Sequence, residues 1–284
     1  MNKIISKRIL NESTFQMEIE APEIAARAKT GQFVVLRVDE HGERIPLTVT
    51  DQNQDTGTVS IIFQAVGVST MKLAALDSGD SIVDFVGPLG LPTPIPADAK
   101  RICIVGGGLG CAVAYPQAKS CKQAGLDVDM IAGFRTRDLV ILEEEMQAAT
   151  DRLFITTDDG SYGEHGFVTT KLEALIAEGE QYDLVIAIGP TVMMKFLCIL
   201  TAQFNLPTIV SLNPIMIDGT GLCGCCRVTV DGVTRFACVD GPDFDGHLVD
   251  FDELMARNAF YMQQEAEAIE AYQQHVCKLT GEVR

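Results

Sequence analysis

The sequence predicts a β barrel followed by an α/β domain, because its two halves have different patterns. Up to about residue 98, short runs rich in Val, Ile, Phe and Thr alternate with Gly, Asp, Asn and Pro, which is typical of a small antiparallel barrel. From Arg101 onward, strand-like and helix-like segments alternate, which indicates a parallel sheet covered by helices on both faces. A cysteine-rich segment and a helical stretch follow. These changes divide the chain into four regions, with residues 1–98, 99–212, 213–250 and 251–284.

The first region is predicted to be mostly strand. Arg44–Thr48 is also expected to be extended, and a helical stretch should follow Thr70. Leu91–Pro96 contains three prolines in six residues and is predicted to be a linker. The predicted strands are Lys3–Leu10, Thr14–Glu20, Gln32–Val38, Thr58–Gln64 and Ser81–Val86.

The second region is predicted from short apolar runs separated by helical patterns. Its strands are expected at Ile102–Val105, Val128–Ala132, Leu153–Thr156, Leu184–Ile188 and Thr208–Ser211. Helices are expected up to about Ala124, at Leu139–Ala148, at Thr169–Glu178 and at Val192–Phe204, with one acidic terminal helix over Asp252–Lys278.

The composition narrows the class of protein. A chain of 284 residues with 47% hydrophobic residues can form two packed domains. Its 39 acidic and 22 basic residues give a net charge of −17, which argues against nucleic-acid and anionic-membrane partners. The sequence has neither a long apolar run nor a signal-peptide pattern, so no transmembrane helix is expected and a cytoplasmic location is predicted.

The cysteines of the third region are the most specific signal. Cys223, Cys226 and Cys238 follow Asp218 in the pattern D-x4-C-x2-C-x11-C. Plant-type [2Fe–2S] sites have the spacing C-x4-C-x2-C…C, so Asp218 stands where the first cysteine would be. Thiolates are strong donors to iron, and a carboxylate can also bind ferric iron. The residues Val228–Phe236 are predicted to form a hairpin, with Asp231-Gly232 at its turn, that returns Cys238 toward Cys226.

Two other interpretations of these cysteines remain open. A zinc site could use Cys223, Cys225, Cys226 and Cys238, although adjacent thiols suit a tetrahedral site poorly and a second CxxC pair is missing. The thiols could also be unligated. Cys225 is expected not to be a ligand, since its side chain should diverge from that of Cys226. The remaining cysteines are predicted to be small buried hydrophobic residues: Cys103, Cys111, Cys121, Cys198 and Cys277.

Glycine turns suggest a nucleotide crevice. Gly106–Gly110 follows a strand and opens a helix, an arrangement that can bring backbone close to a pyrophosphate, although the same turn can be purely structural. Gly189-Pro190 ends another strand and should meet the same ligand at the carboxyl edge of the sheet. Asp158-Asp159-Gly160 also ends a strand, where it could line the same crevice or form only a turn. Arg135 and Arg137 could contact a 2′-phosphate or face solvent, which leaves the choice between NAD and NADP open.

The barrel carries a second candidate site. Arg44 and Thr48 lie four residues apart on an extended segment and therefore on one face, where Arg can pair with a phosphate and Thr can reach a flavin ring. The segment Gly67–Thr70 precedes a helical stretch and offers N–H groups and hydroxyls to further phosphates. Surface and helix-capping roles are the alternatives for both segments.

In their order along the chain, these motifs resemble the ferredoxin–NADP⁺ reductase superfamily, in its branch with a C-terminal [2Fe–2S] segment. The motifs are R-x-P-L-T at Arg44–Thr48, G-x-S-T at Gly67–Thr70, the glycine turn, D-G-S, G-P and the cysteine segment. The branch includes the electron-transfer subunit of dihydroorotate dehydrogenase and the small subunit of NADH-dependent reduced-ferredoxin:NADP⁺ oxidoreductase. Asp218 and the segment Ala237–Phe251 are similar to the second of these.

The resemblance covers the whole chain and implies a site for each cofactor. The barrel would bind FAD, and the α/β domain would be a Rossmann-like domain that binds NAD(H). The implied FAD residues are Arg44, Pro46, Leu47, Thr48, Gln64, Gly67, Ser69 and Thr70. The implied NAD(H) residues are Gly106, Gly107, Gly108, Gly110, Asp159, Gly160, Gly189 and Pro190, and the implied cluster ligands are Asp218, Cys223, Cys226 and Cys238.

The resemblance also implies an activity and a partner. It implies an electron-transfer flavoprotein subunit that works with a larger subunit holding another FAD and two [4Fe–4S] clusters. Such a heterodimer couples NADPH oxidation to the reduction of ferredoxin and of NAD⁺. The alternative is a subunit serving a dihydroorotate dehydrogenase or glutamate-synthase-like partner. No catalytic side chain is expected, because the cofactors carry the chemistry and His41, His165, His247 and His275 form no acid–base constellation.

Overall fold

Antiparallel strands form a nearly closed barrel at the start of the chain. In a computed structural model, the backbone is described for residues 2–280 and the side chains for residues 2–275. Within them, the barrel strands lie in the order β6-β1-β2-β5-β4-β3-β7. The elements are β1 (Asn2–Ile9), β2 (Thr14–Glu20), α1 (Pro22–Ala25), β3 (Phe33–Arg37), β4 (Arg44–Asn53), β5 (Thr58–Gln64), α2 (Val68–Ala74), β6 (Ser81–Ile82) and β7 (Asp84–Leu89).

The barrel strands enclose alternating apolar residues. Val59, Ile61 and Phe63 on β5 are fully buried, because every second side chain of a strand points to the same face. The predicted barrel is therefore confirmed, with two corrections. The extended segment at Arg44 continues as a ten-residue strand to Asn53, and the predicted strand Ser81–Val86 is divided between β6 and β7.

The second sheet consists of mostly parallel strands, in the order β11-β10-β9-β8-β12-β13-β16. Ile102 and Ile104 face one hydrophobic core while Cys103 and Val105 face the other, so helices cover both faces. The strands are β8 (Arg101–Gly107), β9 (Asp127–Phe134), β10 (Arg152–Thr157), β11 (Glu164–His165), β12 (Leu184–Ile188) and β13 (Thr208–Ser211). The helices are α3 (Gly110–Gln123), α4 (Glu143–Ala148), α5 (Val168–Ala177) and α6 (Thr191–Gln203).

The cysteine-rich region is attached to this sheet. It contains the hairpin β14 (Arg227–Val230) and β15 (Val233–Phe236), the short helix α7 (Ala237–Asp240) and the strand β16 (Asp243–Asp245). The hairpin prediction is confirmed, since Asp231 and Gly232 form its turn with φ values of 53° and 68°. Strand β16 pairs antiparallel with β13, an edge strand that the sequence pattern did not predict.

Two helix predictions need correction. The helix expected over Leu139–Ala148 starts at Glu143, because Leu142 has a left-handed φ of 55° that interrupts a helix. The single terminal helix is two helices, α8 (Phe251–Asn258) and α9 (Met262–Thr280). Asn258 ends α8 with its side chain bonded to the Asn213 carbonyl at 3.4 Å, and the chain then turns before α9 begins.

Buried positions account for four of the five scattered cysteines. Cys103, Cys111, Cys121 and Cys198 are buried within the two cores of the α/β domain, as predicted. Cys277 lies outside the residues whose side chains are described. None of the helices within residues 2–280 has the length and apolar character needed to span a bilayer.

Candidate functional site

A cleft of about 1240 Å³ lies between the barrel and the parallel sheet. Strands β4 and β5 form its barrel side, and the turns after β8, β9 and β12 form the other side, at the carboxyl edge of the sheet where ligands bind in this type of fold. Nine of the predicted cofactor residues line it: Pro46, Leu47, Thr48, Gln64, Gly107, Gly108, Gly110, Gly189 and Pro190.

The two glycine turns touch each other on the cleft wall. A Cβ atom at Gly110 would lie directly against the carbonyl oxygen of Ile188 and 2.7 Å from Cα of Gly189. Gly108 has a φ of 55°, which few side chains tolerate. The helix α3 begins at Gly110, so its free N–H groups face this turn. The result is a bare backbone surface suited to a phosphate group.

The helix after β5 uses one predicted ligand for its own capping. The Thr70 hydroxyl accepts hydrogen bonds from the N–H groups of Gly67 (3.0 Å) and Val66 (3.1 Å) and donates to the Gly67 carbonyl at 2.9 Å. Such contacts stabilise the first turn of a helix. Because the hydroxyl is already engaged, the structure favours the capping role for Thr70.

Seven predicted cofactor residues, all inside the described residues of the chain, do not line the cleft. Arg44 is half exposed, and its guanidinium lies 4.0 Å from the Asp84 carboxylate at the open end of β4. The full set is Arg44, Gly67, Ser69, Thr70, Gly106, Asp159 and Gly160.

The turn after β10 presents a different aspartate from the one predicted. Asp158 lines the cleft, whereas Asp159 is exposed and accepts hydrogen bonds from the N–H (3.0 Å) and hydroxyl (2.6 Å) of Ser161. These bonds from Ser161 hold the pKa of Asp159 below its usual range. On the neighbouring turn Arg135 lines the cleft, while the Arg137 guanidinium stacks 5.4 Å from the Tyr162 ring.

The cleft also contains residues that sequence reasoning missed. Ser211 and Asn213 lie at the end of β13, and the rule that ligands bind at carboxyl ends of parallel strands could have identified them. Asn11 and Thr14 reach the cleft from the first barrel turn, and no motif marks them. Phe167, Val192 and Phe196 add exposed apolar side chains at its edge.

The predicted cluster ligands form two pairs. The Cys223 Sγ atom lies 3.3 Å from Oδ1 of Asp218, and the Sγ atoms of Cys226 and Cys238 lie 3.2 Å apart. The first pair is accessible to solvent, and the second is buried. Among the described side chains, no three His, Cys, Asp or Glu residues converge on one point suitable for a single metal ion.

This arrangement suits a two-metal group better than one tetrahedral ion. Each iron of a [2Fe–2S] core needs two protein ligands, and each pair supplies two donors. A zinc site would need four donors around a single point. Burial, followed by the neighbouring Cys226 thiol, raises the pKa of Cys238 to about 12. In the absence of a metal ion this buried side chain is therefore held as the neutral thiol.

Cys225 stands beside these pairs without joining the buried one. It is half-buried, and burial, followed by the neighbouring Cys223 thiol, raises its pKa. Its carbonyl oxygen accepts a hydrogen bond from the Arg257 guanidinium at 3.1 Å. The peptide unit of Cys225 is thus held by α8.

The loop that carries Asp218, Cys223 and Cys226, called here the ligand loop, packs against the barrel. A Cβ atom at Gly219 would lie 2.7 Å from Leu89 on β7 and 3.1 Å from Val35 on β3, so only glycine allows this approach. Val35 is directly opposite Pro46 in the antiparallel pair β3–β4, and Pro46 lines the cleft. The ligand loop therefore contacts β3 and β7, and β3 pairs with the cleft strand β4.

Comparison with known proteins identifies a family for the cysteine-rich region. Residues 213–250 match the family described as the iron–sulfur cluster binding domain of dihydroorotate dehydrogenase B. The chain is 45% identical to a dihydroorotate dehydrogenase B (NAD(+)) electron transfer subunit homolog of Thermotoga maritima, covering 96% of this chain and 95% of that protein. It is 34% identical to the dihydroorotate dehydrogenase B (NAD(+)) electron transfer subunit of Geobacillus kaustophilus, covering 85% and 94%.

A solved structure extends the similarity to three dimensions. The chain is 44% identical to a chain in the structure of NADH-dependent reduced ferredoxin-NADP oxidoreductase, a structure used to understand flavin-based electron bifurcation. The superposition has a TM-score of 0.91 and covers 96% of this chain and 98% of the other.

Proposed function

The chain belongs to the family of dihydroorotate dehydrogenase B electron-transfer subunits, and we propose that it is an oxidoreductase subunit that moves electrons between NAD(H), FAD and a [2Fe–2S] cluster. The observation that carries this proposal is the pairing of Asp218 with Cys223 and of Cys226 with Cys238. Each pair supplies the two donors that one iron needs. Asp218, Cys223 and Cys226 lie on a loop that packs against the barrel beside the cleft, and Cys238 lies in α7.

The cleft provides room and suitable surfaces for both organic cofactors. The barrel residues would hold FAD, and the paired glycine turns would receive the phosphates of NAD(H) at the start of α3. We assign FAD to residues 1–98, NAD(H) to residues 99–212 and the cluster to residues 213–250, and residues 251–284 follow as a C-terminal region.

The chain's own residues have a positioning role in this mechanism. A flavin held by the barrel residues would supply two-electron exchange with NAD(H) and one-electron exchange with the cluster. Gly107 and Gly110 let a dinucleotide approach the backbone, and Pro46, Leu47 and Thr48 form the opposite wall. The contact of Gly219 with Leu89 keeps the ligand loop against the barrel.

A larger flavoprotein subunit with [4Fe–4S] clusters is the proposed partner. Two features favour a role as the small subunit of an electron-bifurcating NADH-dependent ferredoxin:NADP⁺ oxidoreductase. One is the 44% identity to the solved structure of NADH-dependent reduced ferredoxin-NADP oxidoreductase, and the other is Asp218 in the first ligand position. The two subunits, assembled as a complex in the cytoplasm, would exchange electrons with ferredoxin.

A dihydroorotate dehydrogenase partner is the second candidate. It is favoured by the match of residues 213–250 to the cluster-binding family of dihydroorotate dehydrogenase B. The two candidates predict different electron donors for the intact complex. NADPH should reduce the complex of the first type, and dihydroorotate should reduce that of the second.

Anaerobic purification tests the proposal. The absorption spectrum, with iron, sulfide and flavin assays, should give one FAD and about two irons per chain. NADH should bleach both chromophores. Zinc in place of iron, or a chain without flavin, would refute the proposal. The native complex, isolated through a tag on this chain, is then mixed with NADPH or dihydroorotate to distinguish its partners.

A further inference from the structure

Two arginine side chains bind consecutive carbonyl groups in the ligand loop. Nη1 of Arg227 donates to the Gly224 carbonyl at 3.2 Å, and Nη2 of Arg257 donates to the Cys225 carbonyl at 3.1 Å. These two peptide units lie between the proposed ligands Cys223 and Cys226. Both guanidinium groups are therefore fixed at the stretch of the loop that bridges the two donor pairs.

Neither of these arginines is neutralised by a carboxylate among the described side chains. In contrast, Arg37, Arg101 and Arg152 each form ion pairs with Asp or Glu. The net charge of the protein is −17, so acidic side chains that could pair with an arginine are abundant. The loop therefore carries two uncompensated positive charges next to the donor pairs.

The two arginines reach the loop from different elements. Arg227 begins β14 and is exposed, whereas Arg257 projects from the last turn of α8 and is partly buried. Helix α8 is itself anchored by Phe251 and Leu254, which are buried in the core of the α/β domain. Arg257 thus connects the loop to a rigid support, and solvent screens its charge less than that of Arg227.

We propose that Arg257, assisted by Arg227, is a positioning residue that raises the reduction potential of the [2Fe–2S] cluster. This inference rests on the proposed function, since it requires the cluster at Asp218, Cys223, Cys226 and Cys238. Reduction adds one electron, and hence one negative charge, to the cluster. A nearby fixed positive charge stabilises the reduced form more than the oxidised form. The effect depends on the one added charge, because the charges of the Asp218 carboxylate and the three thiolates are the same in both oxidation states.

The experiment measures the cluster potential in the intact, cofactor-loaded protein. Redox titration followed by electron paramagnetic resonance is carried out on wild type and on Arg257→Gln, Arg257→Lys and Arg227→Gln. Arg235→Gln is the matched control, because Arg235 is an exposed arginine on the same hairpin, opposite Val228, and makes no contact with the ligand loop among the described hydrogen bonds.

The proposal predicts an order of effects. Arg257→Gln should lower the equilibrium constant for cluster reduction about tenfold, which is about 59 mV for one electron. Arg257→Lys should retain most of the potential because it keeps the charge. Arg227→Gln should lower the potential less than Arg257→Gln, and Arg235→Gln should leave it within about a twofold change of that constant.

The other outcomes distinguish a failure of the proposed function from a failure of the role of Arg257 alone. A wild-type protein without iron would overturn the proposed function itself. A normal cluster in every variant, with the potential of Arg257→Gln equal to that of wild type, would overturn only the role of Arg257. If Arg257→Gln cannot retain iron, Arg257→Lys and Arg227→Gln decide the question. A lowered potential in Arg227→Gln together with an unchanged potential in Arg257→Lys supports the charge effect. An unchanged potential in Arg227→Gln together with a lowered potential in Arg257→Lys refutes it.

Discussion

The Sγ atoms of Cys226 and Cys238 lie 3.2 Å apart although eleven residues separate them in the sequence. The hairpin β14–β15 returns the chain, and the N–H of Ala237 donates to the Cys226 carbonyl at 3.1 Å. The two thiols are buried side by side and are not joined in a disulfide. They form a preorganised pair of thiols, which the proposed cluster would use as the two donors of one iron.

Cys226→Ser should abolish the cluster because it removes a thiolate donor from the buried pair. Cys225→Ser is the matched control, since it changes the adjacent thiol and should retain about two irons per chain. Iron and sulfide assays on protein purified without oxygen measure the difference. Equal iron content in both variants would contradict the ligand assignment.

Asp218→Cys should retain a [2Fe–2S] cluster but change its absorption spectrum and reduction potential. The reason is that a thiolate is a softer and stronger electron donor than a carboxylate. Asp231→Asn is a suitable control, because it alters a carboxylate at the hairpin turn, away from the donor pairs. An unchanged spectrum and potential in Asp218→Cys would remove Asp218 from the ligand set.

Gly110→Ala should lower the free energy of unfolding by about 1–3 kcal/mol and weaken NADH binding. The added methyl group would meet the Ile188 carbonyl, and backbone cannot easily move away. Gly107→Ala is the comparison, since its methyl group would meet the flexible Met193 side chain instead. Thermal unfolding of both variants compares their stability, and NADH titration of Gly110→Ala measures binding. A loss of stability in Gly107→Ala as large as that in Gly110→Ala would contradict this account of the turn.

Asp243→Asn should alter how stability depends on pH. Burial raises the pKa of Asp243 from 3.8 to about 6, with a Thr93 hydrogen bond acting in the opposite direction. The Asp243 carboxyl therefore loses its proton at a lower pH in the unfolded chain than in the folded one. The wild type is destabilised as the pH rises between these two pKa values. Asparagine cannot ionise and removes that loss.

The stability of Asp243→Asn relative to wild type should accordingly increase by about 1 kcal/mol between about pH 5 and pH 8. Urea unfolding at both values measures this difference. Asp231→Asn, a substitution at an exposed turn, is measured alongside as the control. Parallel pH profiles of wild type and Asp243→Asn would show that Asp243 does not titrate in this range.

Local pattern determined the types of most elements and the spacing of the proposed cluster ligands. Strands with alternating burial, such as β5, and strands buried on both faces, such as β8, are predictable because the side-chain period is a property of the segment itself. The spacing of Asp218, Cys223 and Cys226, and the Asp231-Gly232 turn, are likewise local. These features needed only neighbours in the sequence.

Only the tertiary structure decided which residues face the cleft and which serve other purposes. The Thr93 hydroxyl donates to the Asp243 carboxylate at 2.5 Å across 150 positions of sequence, and β16 joins the sheet beside β13. Thr70 matches a phosphate-binding pattern but caps its own helix, and Ser211 lines the cleft without belonging to a motif. Such contacts depend on how separate elements pack, and no single segment determines the free energy of that packing.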